Sequence, residues 1–190
     1  MSRDASISQD LIGQLIDGTI DDDNAQRLLR LERKDRDRFF KYLDALQQRV
    51  PWPERILLRL GDKLYVVHDA AGARSVKCHC GHVFGDYREN WKLRCRIRVK
   101  RSLEEMRTVY DPAPACPEPG FQEIREFFCP GCATQHAVEV VPPGYPIVFE
   151  LLPDLDRFYR ETLGRPLPDE AADWYEDRSA ALTEQWAKAS

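Results

Sequence analysis

Four of the six cysteines in this 190-residue chain fall in two tight pairs, Cys78-His79-Cys80-Gly81 and Cys129-Pro130-Gly131-Cys132. Each pair can present two thiolates to one point from a sharp backbone turn. Four thiolates so presented make a tetrahedral zinc site, because zinc has no ligand-field preference and needs only soft donors at about 2.3 Å. Such a site constrains the fold, since two turns far apart in the chain must be brought together, and the strand-rich flanks are suited to doing so. The first pair is Cys-x-Cys and the separation exceeds that of a minimal zinc ribbon, so a redox role for Cys129 and Cys132 stays open beside the zinc reading. A thioredoxin-like pair, however, opens a helix whose dipole lowers the thiol pKa, whereas Gln135-His136-Ala137-Val138-Glu139-Val140-Val141 reads as a strand.

The remaining candidates read more simply. Cys95 lies on the apolar side of a strand pattern as a small buried hydrophobe, and Cys116 sits in a proline loop as a surface thiol. His79, His82 and His136 flank the pairs as neighbours of the ligands. A disulfide framework is not expected, because Met-Ser-Arg-Asp-Ala-Ser has no apolar signal core and cytosolic thiols stay reduced. The chain is accordingly expected in the cytoplasm, with no membrane span.

Helices are expected around Leu11, Ile12, Leu15 and Ile16, stopped by Gly18; after the acidic cap Asp21-Asp22-Asp23, with Leu28, Leu29 and Leu31 apolar; and over Asp35 to Gln48, stopped by Pro51-Trp52-Pro53. Ile56-Leu57-Leu58 and Leu64-Tyr65-Val66-Val67 then flank a Gly61-Asp62 turn as a hairpin. Cys95, Ile97 and Val99 alternate with Arg94, Arg96, Arg98 and Lys100, which predicts a strand with an apolar inner and a basic outer face. Ser102 and Glu105 are spaced as a capping box. Asp154 to Leu163 reads as a helix ended by Gly164, and a charged helical tail from Asp169 carries Trp174, Tyr175, Leu182 and Trp186. The expected architecture is α+β, with a helical segment over 8–53, a β-rich, zinc-ribbon-like four-cysteine domain over 54–150, and a helical segment and tail over 151–190. The amino-terminal helices and the tail, with its two tryptophans, are expected to be docking elements.

The net charge of −4 argues against a nucleic-acid partner for the chain as a whole. No Gly-x-x-x-x-Gly-Lys-Ser/Thr loop, Gly-x-Ser-x-Gly elbow or His-Glu-x-x-His pair occurs, so no catalytic residue is assigned. A closed four-thiolate site leaves no open coordination position, and its expected role is folding energy.

Several stretches, in order, carry a family resemblance: Leu46-Gln47-Gln48-Arg49-Val50-Pro51-Trp52, Gly61-Asp62-Lys63-Leu64, Cys78-His79-Cys80-Gly81-His82, Glu89-Asn90-Trp91-Lys92-Leu93, Ile124 through Cys132, Tyr145-Pro146 and Pro153 through Tyr159. On these the chain resembles the γ subunits of acetone carboxylases over nearly all of Asp10 to Pro168. The resemblance implies a zinc-bearing small subunit, its motif cysteines at Cys78, Cys80, Cys129 and Cys132. It also implies a place in an (αβγ)2 heterohexamer with alpha and beta subunits. That assembly carboxylates acetone with bicarbonate to acetoacetate while ATP goes to AMP and phosphate. Manganese and ATP are then expected on the large subunits, making the chain a non-catalytic part of a ligase. Related aromatic-ketone carboxylases of the acetophenone type also have a small zinc subunit. Of other classes, a stand-alone zinc-ribbon module binding nucleic acid through the basic strand, and a self-sufficient zinc hydrolase or thiol oxidoreductase, are the alternatives.

Overall fold

The computed structural model of the chain describes residues 6–110, 115–170 and 175–189. Helix α1 (Gln9–Asp17) starts where the Ser8 side chain accepts the Leu11 amide and ends on Gly18, whose φ of 69° is the left-handed conformation a side chain disfavours. Helix α2 (Asp22–Leu29) is capped by Asp21, which accepts the Asn24 amide, yet it buries no residue, and Leu29 is 80% exposed. Helix α3 (Arg38–Gln47) buries Leu43, Ala45 and Leu46. It begins after Asp35, because that carboxylate accepts the amides of Ile7 and Asp37 and the Lys41 ammonium instead. Those bonds, the Lys41 one foremost, hold the Asp35 carboxyl down at about 2.

The hairpin of β1 (Arg55–Gly61) and β2 (Leu64–His68) continues through β3 (Arg74–Cys78) into β4 (Val83–Asp86), an antiparallel sheet in the order β1-β2-β3-β4. Alternation along the strands gives it two apolar faces. Ile56, Tyr65 and Val67 meet Leu43 and Leu46 of α3 together with Trp52. Leu57, Leu64, Val66 and Val76 belong to the larger core, with Phe84, Tyr87, Leu155 and Tyr159.

A 3-10 turn (Trp91–Arg94) leads into β5 (Arg96–Lys100), then α4 (Leu103–Arg107) with the Ser102–Glu105 capping box formed, and the antiparallel hairpin of β6 (Glu123–Phe128) and β7 (Gln135–Val141). These strands make a second sheet, ordered β5-β6-β7. The expected clean division of the β5 region does not hold. Arg94 belongs to the 3-10 turn, with Cys95 just after it, and Ile97 is 38% exposed because β5 is an edge strand. Lys100 is buried, its ammonium donating to Thr108 Oγ1. Lys92 is buried too, held by Glu139 at 2.6 Å, and Arg98 and Arg101 reach Glu126 and Glu123.

The one-turn helix α5 (Leu155–Arg157) widens into a π-type turn (Phe158–Thr162) that ends at Gly164, again with positive φ. It points Tyr159 into the larger core, where its hydroxyl donates to the Leu57 carbonyl at 2.8 Å. Arg74, fully buried, grips both oxygens of Asp156 and reaches Asp169, which also meets His68 at 3.1 Å. The tail helix α6 (Ser179–Ala189) starts later than expected and packs back on the body. The Arg178 amide donates to the Arg88 carbonyl, the Asn90 amide donates to Ser179 Oγ, and Leu182 is buried. Trp174 and the side chain of Trp186 lie outside the described residues. No helix among the described residues is long and apolar enough to cross a membrane. The architecture is α+β, with the cysteine pairs in the strand-rich middle, as expected.

Candidate metal centre

Cys78 is the last residue of β3, and the chain turns at once: the Gly81 amide donates to the Cys78 carbonyl and the Cys78 amide to the His82 carbonyl, both at 2.9 Å. Gly81, at φ 99°, supplies the conformation this tight turn needs. The second turn is built alike after β6. There the Ala133 amide donates to the Cys129 carbonyl at 2.9 Å and the Cys129 amide to the Thr134 carbonyl at 2.8 Å. Ala133 takes a left-handed φ of 58°, a conformation that costs a residue with a side chain about 1–2 kcal/mol.

The two turns belong to different sheets and face each other. Cys78 Sγ lies 3.7 Å from Cys132 Sγ, Cys80 Sγ lies 3.7 Å from Cys129 Sγ, and all four sulfurs fall within 4.8 Å of one another. Four sulfurs about 2.3 Å from a central ion stand about 3.8 Å apart in a tetrahedron, so the donor set fits a metal ion such as zinc in both chemistry and spacing. Gly131 allows the close approach, since a Cβ there would meet the Cys80 sulfur at 3.4 Å and the His82 Cβ at 3.2 Å.

Cys78 and Cys129 are buried, whereas Cys80 and Cys132 lie at the surface. Burial pushes the Cys78 and Cys129 thiols above their ordinary range. At Cys132 burial works in the same direction, but the Thr134 hydroxyl and amide and the neighbouring thiols outweigh it and bring the group to about 6. The Thr134 hydroxyl is 3.2 Å from that sulfur. Four thiols in this packing do not ionise together unaided, and a divalent cation is the group that would balance them.

The surroundings include residues that the sequence patterns did not single out. Trp52, read from the sequence as part of a helix stop and of one resemblance stretch but given no role at the site, donates its indole N–H to the carbonyls of both Cys78 and His79, at 3.2 and 3.1 Å. His82 packs edge-on against Phe84, and Phe84 against His136 and Trp91, forming an aromatic wall beside the sulfurs. His79 Nδ1 is 3.4 Å from Cys78 Sγ, and His136 Nδ1–H donates to the Asp62 carbonyl. The sulfur group includes none of these histidines. Cys95 sits outside it as a half-buried thiol pushed up to about 12 by burial, donating to the Trp91 carbonyl; Cys116 also stands apart.

Residues 50–163 match the family described as acetone carboxylase gamma subunit. The chain is 42% identical to the acetone carboxylase gamma subunit of Xanthobacter autotrophicus, over 84% of this chain and 95% of that protein. It is 30% identical to the acetophenone carboxylase beta subunit of Aromatoleum aromaticum, over 58% of this chain and 79% of that one.

Proposed function

This chain belongs to the acetone carboxylase gamma subunit family, and from that premise we propose that it is the zinc-bearing, non-catalytic subunit of an ATP-dependent ketone carboxylase. The observation that carries the reading is the four-sulfur cluster at the junction of two separate sheets. Cys78, Cys80, Cys129 and Cys132 hold one zinc ion. A tetrahedron of thiolates leaves no position for water or substrate, so the metal supplies folding energy, on the order of 10 kcal/mol in small metal-dependent domains. It ties the β3–β4 turn to the β6–β7 turn.

The chemistry then belongs to alpha and beta partners in an (αβγ)2 assembly in the cytoplasm. They bind ATP and manganese, carboxylate acetone with bicarbonate to acetoacetate, and convert ATP to AMP and phosphate. Acetone is favoured over an aromatic ketone because the acetone-type relative matches at higher identity and over more of the chain. The nucleic-acid reading is weakened by the local pairing of Lys92, Arg98 and Arg101 with carboxylates.

Co-purification of the tagged full chain from its host tests this. Two large carboxylase subunits in equal amounts with the tagged chain, and one zinc per chain, are expected. Recovery of the chain alone, folded and free of metal, would contradict it.

A further inference from the structure

Helix α2 forms with a cap and carries leucines, yet it buries none of its residues, and Leu28 is only partly covered by the described residues. Leu28 instead forms one wall of a groove of about 740 Å3, which Leu15 of α1, Phe39 of α3, Phe158 of the π-type turn and Leu163 just after it complete. Leu15 is 53% and Leu29 is 80% exposed, so the apolar surface runs on past the groove itself. Isolated helices with an apolar side are stabilised chiefly by what that side packs against.

Arg36 and Arg38 stand on the groove. Arg38 donates to the Asp35 carbonyl, and neither guanidinium has an ion-pair partner among the described residues; the same holds for Arg27, Arg30 and Arg33. Glu161, the carboxylate on the groove, is already held by Arg157 at 2.9 Å. Around β5 several cations differ, since Arg98, and Lys92 and Arg101 on either side of the strand, each have a carboxylate. In a chain of net charge −4, this groove is a local positive surface over an apolar floor.

We propose that the groove receives an amphipathic helix of a large carboxylase subunit, its apolar side against Leu15, Leu28 and Phe39 and its acidic residues against Arg36 and Arg38. The inference rests on the proposed carboxylase role and names where that role's partner docks. A helix is the fitting occupant because helices form most of the walls, and side-chain ridges of one helix seat in the grooves of others. A second copy of this chain offering its own α2 would bring Arg27 together with Asp22 and Asp23 to Arg36 and Arg38, a mixed contact with no net charge preference, so self-association is kept as a separate outcome of the test.

The test uses the full chain with both large subunits, comparing wild type with Leu28→Glu and with the double variant Arg36→Glu/Arg38→Glu. All three positions are only partly buried or exposed, so the variants are expected to keep their circular dichroism and metal content. Both should assemble about tenfold or more weakly than wild type. The arginine variant should also flatten the salt dependence of assembly, since screening then has less attraction to remove. Assembly of both variants at wild-type affinity overturns the proposal. So does self-association of the isolated chain that the same substitutions abolish, or a small apolar molecule retained in the groove with assembly unchanged. If wild type itself fails to assemble, the carboxylase role falls as well, and that outcome is separable because it appears before any variant is compared.

Discussion

Trp52 directs one indole N–H at two carbonyls of the first cysteine turn, while its ring lies edge-on to Tyr65 at 5.9 Å and beneath the Lys77 ammonium at 4.9 Å. A phenylalanine there would preserve most of the buried apolar contact and leave both carbonyls without this donor. Trp52→Phe is therefore expected to lower stability by about 1–3 kcal/mol, the cost of unsatisfying a buried polar group, with the metal content still one per chain. Urea unfolding with metal analysis checks it, and an unshifted midpoint would count against the supporting role. The four cysteines are legible as a site from their spacing alone, because a metal's demands are local and chemical. Trp52 is not, since Pro51-Trp52-Pro53 announces only the end of a helix, and its partners lie 26 and 27 residues further on.

At the scale of elements, the same division holds. Gly18, the Asp21 cap, the Ser102–Glu105 box and the Gly61-Asp62 hairpin are written in short-range patterns, and they form where expected. The exposure of α2, the inward turn of Lys100 and the return of α6 onto Arg88 and Asn90 depend on which element lies opposite, which periodicity does not encode. Arg74 is the sharpest case, an arginine in an ordinary strand pattern whose side chain is entirely buried between Asp156 and Asp169. It clasps β3 to α5 and to the segment leading into the tail. Arg74→Met would leave those carboxylates without their buried partner, and is expected to cost about 3–5 kcal/mol. Hydrogen exchange should show the loss concentrated in 155–163, with the cysteine turns still protected. Uniform loss of protection, or none, would show that the clasp does not act as a local tie.

Over the whole molecule, two antiparallel sheets share no strand pairing among the described residues, and the four sulfurs sit where their turns meet. A metal bound there would act on tertiary structure, closing a contact between parts of the chain distant in sequence that the strand ladders leave unmade. The helices on one side of the first sheet and the clasped turn on the other complete a body whose apolar groove, with Arg36 and Arg38 on it, is the proposed seat of the partner helix. On this account the chain governs carboxylation by being present and folded, and it contributes no reacting group. The most direct test is turnover per assembled complex with Cys80→Ser, which exchanges one soft ligand for a hydroxyl that binds zinc poorly. The account predicts a low yield of complex and less than one zinc per chain, while the complex that does form turns over ketone at close to the wild-type rate. Full assembly with normal metal content and lost turnover would contradict it and place this centre in the chemistry itself.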